Sequence, residues 1–307
     1  MAADTNLVQR QRIEGARALA ARLPDLLVAA RRVAASVILG VHGRRRPGPG
    51  ETFWQFRHYT MGEPARRIDW RRSARDHHLY VREREWEAAQ TVWLWCDLSP
   101  SMRFRSQLAE VEKIDRALVL TLAVAEMLGR GGERVGMPGV LAPRIGRDAA
   151  DRIAESLARL EQQQVLDAEW PPVSGIGRFG DLVVISDCLA ETAVMRDRIL
   201  ALAGRSARLH LLQVLDPAEE SFPYHGRLEF RDPETGGVWL AERAGGLRET
   251  YRARLEAHRE DIALMARRAT FSFATHHTDR PASEGLLFLY SRLAAPRDAP
   301  SGLRASA

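Results

Sequence analysis

Lysine is almost absent from this 307-residue chain: Lys113 stands alone among 45 basic residues, and the rest are arginines. Arginine grips carboxylates and phosphates bidentately where lysine does not, but genome composition is the favoured account of the skew. Cysteine is nearly as scarce. Cys96 and Cys188 are the only two, which excludes a disulfide scaffold and a cysteine-rich zinc protein. Both stand beside acids at the ends of apolar segments, as buried reduced thiols would. Long hydrophobic runs are missing too. The best candidate, Leu26 to Val41, is interrupted by Arg31 and Arg32 and falls short of the ~18 residues a membrane span needs. Met1 to Gln11 has no basic start followed by an apolar run and a cleavage site. A cytoplasmic protein is expected, at most peripheral at a membrane through a partner. No GxxxxGK[ST] loop is present, so the chain is not expected to hydrolyse ATP. There is no internal repeat, and 45% apolar with 28% charged residues excludes general disorder.

What is there is unevenly spread. Residues 1–90 hold 17 arginines against 10 acids, whereas the remaining 217 hold 28 basic and 30 acidic groups. The chain divides by pattern into N-terminal helices over 1–43, an Arg/aromatic segment over 44–90, an α/β domain over 91–295 and a flexible tail over 296–307. Leu19, Leu23, Leu26, Leu27 and Ala30 recur at helical spacing, with Pro24 expected to start or kink a helix. Residues 43–50 (GRRRPGPG) read as an exposed loop. Beyond residue 90 the pattern alternates. Thr91–Asp97 and Asp181–Asp187 are apolar on both faces, as central parallel strands require. Shorter strands are expected at 134–140, 208–216 and 270–275, with helices over 111–128, 148–160, 192–203, 246–268 and 283–293. A small β-hairpin insertion is expected within about 217–245. The fold class is α/β, a Rossmann-like, mainly parallel sheet with helices on both faces.

In such sheets functional groups gather beyond the carboxyl ends of the strands. There the first strand runs into Asp97-Leu98-Ser99-Pro100-Ser101-Met102, which places three oxygens on one tight loop. Hard cations such as Mg²⁺ take oxygen ligands in octahedral geometry. Asp187 ends its own strand in the same way, so both acids would flank one crevice if the strands are neighbours. The plainer account is helix capping by Asp97 and Ser99.

Asp97-x-Ser99-x-Ser101 resembles the metal-ion-dependent adhesion motif of von Willebrand factor A domains. The upstream segment resembles the bacterial family known as domain of unknown function 58. The matching residues are Phe56-Arg57-His58-Tyr59, Gly62-Glu63, Arg66 to Trp70, Ser73-Ala74-Arg75 and Val81-Arg82-Glu83. Val183 to Asp187, Leu212 to Pro217, Phe230 to Gly236 and Thr275 to Pro281 match as well. The resemblance implies a von Willebrand A-like domain working beside a MoxR-type AAA+ ATPase and its client, as an adaptor or chaperone-like partner without an enzymatic reaction. It implies Asp97, Ser99 and Ser101 as ligands of Mg²⁺ or Mn²⁺, Asp187 as a ligand through water, and a partner carboxylate in the open position. The motif's usual threonine is missing, because residues 139–147 contain neither Thr nor Ser. Charge balance through an arginine–aspartate contact without metal is the alternative.

In the Arg/aromatic segment, eleven arginines of residues 44–90 are accompanied by seven acids, so internal pairing is favoured. Docking of a partner protein through Arg57, Tyr59, Arg67, Asp69, Trp70 and Arg75 comes next. Nucleic acid held by stacking and phosphate contacts comes last. The pairs His77-His78 and His276-His277 cannot each clasp one ion if they lie on strands, since adjacent residues point to opposite faces. Asp216-Pro217 reads as a turn. An Mg²⁺-dependent phosphoesterase is the remaining alternative. The two-metal version needs a denser acidic cluster, and a serine nucleophile needs a base that the sequence does not reveal.

Overall fold

The computed structural model describes residues 21–38, 53–61, 64–75, 78–84, 89–162, 170–177, 180–206 and 208–295. The chain falls into two units, Val41–Ala89 and Met1–Gly40 with Gln90–Ala307. Expectations for residues 43–50, for His77 and for the tail beyond residue 295 lie outside the described residues.

The smaller unit is a hairpin. Strand β1 (Phe53–His58) pairs antiparallel with β2 (Tyr80–Arg84). The weak periodicity of residues 51–90 hid both strands. Between them a one-turn helix, α2 (Trp70–Ser73), is capped by Asp69, whose carboxylate accepts from the Arg72 N–H at 3.0 Å. Ser73 Oγ donates to Asp69 O at 2.8 Å and accepts from Tyr80 N at 2.9 Å, closing the turn onto β2. Among the described residues, Ile68 and Val81 are its buried apolar ones.

The larger unit is built around a six-stranded sheet. Its strands are β3 (Thr91–Cys96), β4 (Arg134–Met137), β5 (Leu141–Ile145), β6 (Asp181–Ser186), β7 (Arg208–Leu215) and β10 (Ser272–His277), in the spatial order β10-β7-β6-β3-β4-β5. All pair in parallel except β5, which runs antiparallel to β4 at the edge. Every residue of β6 is buried, and so is β3 beyond Thr91. Continuous apolar runs belong in such doubly covered strands. Chain order reverses between β3 and β6: β3, β4 and β5 step toward one edge, and β6, β7 and β10 toward the other.

Helices cover both faces. Helix α3 (Lys113–Arg130) packs against α4 (Ala149–Gln162) and α8 (Ala282–Leu293), and α5 (Thr192–Ala203) packs against α7 (Arg248–Ala269). The layered contacts explain why α3 buries Ile114, Leu118, Leu122 and Ala125 together with Leu120 and Val124. In contrast α7 buries only Leu255, Ile262 and Ala266, one narrow stripe of an otherwise charged surface helix. Residues 21–38 form a further helix, α1, running through Pro24. Leu23, Ala30, Ala34 and Val37 are its buried stripe. Arg22 reaches Asp115 of α3 at 2.8 Å, and Arg31 reaches Asp151 of α4 at 2.6 Å.

Two elements depart from the pattern reading. Residues 141–145, for which the pattern predicts no element, form the edge strand β5, where Pro143 is tolerated because one side of the strand has no ladder partner. Asp216-Pro217, read as a turn, opens the short helix α6 (Pro217–Ser221). The expected insertion is present as the hairpin of β8 (Leu228–Arg231) and β9 (Val238–Ala241).

The close approach of β5 to β4 depends on Gly136. A Cβ there would sit 2.8 Å from Leu141 O and 2.9 Å from Pro143 N, both backbone atoms. Gly136→Ala should therefore destabilise the larger unit by about 1–3 kcal/mol, the usual range for overpacking. The check is a lower denaturant midpoint at unchanged slope.

Candidate functional site

Parallel pairing of β3 with β6 aligns Cys96 with Ile185, and the Asp97 N–H donates to Ile185 O at 2.9 Å. The two strands thus end side by side where the chain order reverses, the place at which α/β sheets bind ligands. Asp97 and Asp187 are both buried there.

Asp97 is held by its neighbours. Its Oδ1 accepts from the Ser99 N–H at 2.9 Å and its Oδ2 from the Ser186 hydroxyl at 2.7 Å. Burial, and next the charge of Asp187, push the Asp97 carboxyl up to about 7 against the lowering effect of those hydrogen bonds. Ser99 and Ser101 bond to one another through their hydroxyls at 3.1 Å. Asp187 Oδ2 accepts from the Lys113 ammonium at 2.9 Å, and its Oδ1 from the Leu189 N–H at 3.2 Å. Lys113 also donates to Glu219 Oε1 at 2.6 Å. Burial alone would lower the Lys113 pKa; the carboxylates of Asp187 and Glu219 outweigh it and hold the ammonium above its ordinary range.

The end of β7 completes the constellation. Asp216 Oδ1 accepts from the Ala218 N–H, while Glu219 accepts from the Asp216 N–H, a capping box for α6. The second Asp216 oxygen accepts from the Ser106 N–H at 2.8 Å. From the inserted hairpin comes a further carboxylate: Glu234 Oε1 accepts from the Ser101 N–H at 2.9 Å. Its turn is fixed by Asp232, which accepts from the Glu234 N–H at 3.0 Å and from the Thr235 hydroxyl. The loop after β6 is pinned from behind. Cys188 takes a positive φ of 53°, Gln213 Nε2 donates to Asp187 O at 2.9 Å, and His258 Nε2 meets Cys188 O at 2.7 Å.

All four carboxyl-edge residues singled out by sequence, Asp97, Ser99, Ser101 and Asp187, therefore lie at one edge of the sheet. Lys113, Ser186, Glu219 and Glu234 escaped sequence reasoning. For Lys113 the signal was its uniqueness; Ser186 and Glu234 lie inside stretches that carry the family resemblance, and Glu219 lies in the cap of α6. Both cysteines are buried, and neither forms a disulfide. His276 packs against Gly285 of α8 and His277 pairs with Glu220 of α6, on opposite sides of β10.

The divalent ion that the resemblance implies does not fit this donor set. Both oxygens of Asp97 and both of Asp187 have hydrogen-bond donors, one of them an ammonium, and residues 139–147 bring no hydroxyl. Arg144 of that segment turns to Asp148 at 3.0 Å. Among the described residues no three His, Cys, Asp or Glu side chains are grouped to hold a metal. The hydroxyl pair, 3.1 Å apart, lies near the spacing of adjacent vertices of an Mg²⁺ octahedron, about 2.9 Å for bonds of 2.0–2.1 Å.

In the smaller unit Asp69 is committed to its helix cap, whereas Trp70 is 61% exposed. Tyr59 is half-buried and Arg75 exposed. Arg57 lies on β1 opposite Val81, and Arg67 ends a short 3₁₀ turn; their side chains lie outside the described residues.

A mainly parallel sheet flanked by helices, with its polar groups gathered at the reversal of strand order, defines a doubly wound α/β protein. The chain belongs to the family described as protein of unknown function DUF58, whose model matches residues 55–261. It is 30% identical over 279 residues to the uncharacterized proteins Rv1480 of Mycobacterium tuberculosis and Mb1516 of Mycobacterium bovis, covering 85% of this chain and 86% of each relative. Among solved structures it is similar to the conserved hypothetical protein BatB from Bacteroides thetaiotaomicron, with 18% identity and a TM-score of 0.37, covering 67% of this chain and 99% of that one. A second is an aerotolerance-related membrane protein from Bacteroides fragilis, with 17% identity and a TM-score of 0.32, covering 66% and 98%. Among the described residues no helix is long and apolar enough to cross a membrane.

The raised pKa of Asp97 has a testable sign. Unfolded, the carboxyl ionises near 3.8; folded, near 7. The native state therefore loses stability, relative to a neutral side chain, as pH rises between those values, and the loss levels off above them. Asp97→Asn should gain stability on the wild type across that window. Thermal melts of both proteins at a series of pH values measure it; parallel curves would contradict the assignment.

Proposed function

We propose that this chain is a non-enzymatic protein-interaction module whose carboxyl-edge loop receives an acidic side chain of a partner. The observation that carries the reading is the bond from the Ser101 N–H to the Glu234 carboxylate, 2.9 Å long and joining residues 133 apart in sequence. The loop already binds a carboxylate, one supplied by its own chain. A charge-assisted hydrogen bond is roughly twice as strong as a neutral one, so such a seat prefers an acid to its amide. The Ser99 and Ser101 hydroxyls share one hydrogen bond, and the Ser99 side chain also bonds to Asp97, so both serines help shape the loop that receives the acid.

A von Willebrand A-like classification is supported by the sheet order with its single antiparallel edge strand and by the Asp97-x-Ser99-x-Ser101 loop at the reversal point. With it comes the partner class: a MoxR-type AAA+ ATPase and its client, for which this chain would act as adaptor.

The test uses the full chain carrying Glu234→Ala, which vacates the seat, and a fluorescent peptide copying residues 229–237. The variant should bind the peptide more tightly than the wild type, whose own Glu234 competes. A peptide with Gln in place of the central Glu should bind at least about tenfold more weakly, the equivalent of 1.4 kcal/mol. Equal binding of the Glu and Gln peptides, or none by the variant, would refute acid recognition. Capture of a MoxR-type ATPase by the wild type, lost on Asp97→Ala, would support the partner class.

A further inference from the structure

Of the 45 lysine and arginine residues all but one are arginines, and the exception occupies a fully enclosed position. Lys113 is fully buried at the first turn of α3. Its ammonium lies between Asp187 at the end of β6 and Glu219 after β7, at 2.9 and 2.6 Å, with the Phe104 ring 5.9 Å away. Lysine offers what the planar guanidinium does not: a compact point charge with three rotatable donors on a slender stem. The lone Lys stands where two carboxylates from different loops converge on one small volume.

We infer that the Lys113 ammonium is the resident cation of the carboxyl-edge site, holding the strand-end loops in place of a divalent ion. This rests on the acid-recognition reading and specifies how that site works. The ammonium does what a bound cation would do: it neutralises Asp187 and joins loops that carry like charge. A divalent ion held by Asp97, Ser99 and Ser101 would add a like charge beside it, separated by one carboxylate. Asp97 is then a positioning residue, fixing the Ser99 backbone through one oxygen and Ser186 through the other, and so setting the Ser101 N–H that meets the incoming acid. Acid recognition at this site needs no metal.

The experiment is a calorimetric and thermal-shift titration of chelator-stripped full chain with Mn²⁺ and with Mg²⁺, to millimolar concentration and without any partner. The wild type should show no saturable binding and no shift in Tm. Lys113→Met, which leaves Asp187 and Glu219 without a cation, should acquire saturable Mn²⁺ binding and a Tm that rises with the ion and falls again with chelator. Lys113→Arg, which keeps the charge, should not. Should Lys113→Met fail to fold, Lys113→Met with Glu219→Gln, which removes one charge of each sign, takes its place. Saturable Mn²⁺ binding by the wild type that Asp97→Ala abolishes would overturn the inference. A folded Lys113→Met chain that takes up no ion would overturn it as well. Peptide binding by the Glu234→Ala chain separates the two ideas. Binding unaffected by chelator supports both; binding lost on chelation sinks the resident ammonium alone, and no binding in either condition sinks acid recognition itself.

Discussion

One buried ammonium holds the carboxyl edge of this sheet together. Lys113 begins α3, Asp187 follows β6 and Glu219 lies in α6 beyond β7, three segments that meet only because of the order in which the strands pair. Taking such charges out of water costs several kcal/mol each, so a buried pair is close to neutral when intact; removing one partner typically costs about 3–5 kcal/mol. What the triad contributes is uniqueness of arrangement. With Lys113 in place, Asp187 can accept from Leu189, Glu219 can close the capping box on Asp216, and Asp216 can reach across to the Ser106 N–H.

The two strand-end aspartates are consequently unlike each other. Asp187 has a cation against it and Asp97 has only neutral donors, so burial raises the latter toward neutrality. One sheet edge thus carries one carboxyl set against an ammonium and one whose charge depends on its surroundings. Between them the hydroxyl of Ser186 serves both loops, donating to Asp97 and accepting from the Cys188 N–H at 3.0 Å.

Much of this was legible in the sequence. Doubly apolar runs located β3 and β6, and helical spacing located α3, α4, α5, α7 and α8. Asp-x-Ser-x-Ser and the second strand-end aspartate do fall at the ends of neighbouring strands, as their positions suggested. What resisted was whatever depends on distant pairing or on a single contact. Edge strand β5 contains Pro143, a turn signal in local reading. The hairpin of β1 and β2 joins segments too far apart for periodicity to connect. Charge balance was expected from Mg²⁺ or Mn²⁺, with an arginine–aspartate contact as the alternative; Lys113 pairs with Asp187, while Arg144 turns to Asp148. Glu234 lay inside a recognised motif, but nothing local says that its carboxylate crosses to Ser101.

Helix α1 bears on where this chain can be cut. The span matched by the family model, 55–261, ends within α7, before β10 and α8, and begins after α1. β10 pairs along its whole length with β7, and α1 buries Ala30 and Ala34 and is tied to α3 by Arg22 and to α4 by Arg31. An expression boundary drawn at the family limits would strip one edge of the sheet and unroof a helical layer. The autonomous folding unit is therefore larger than the family signature, and it needs chain from both sides of the smaller hairpin unit that the signature includes.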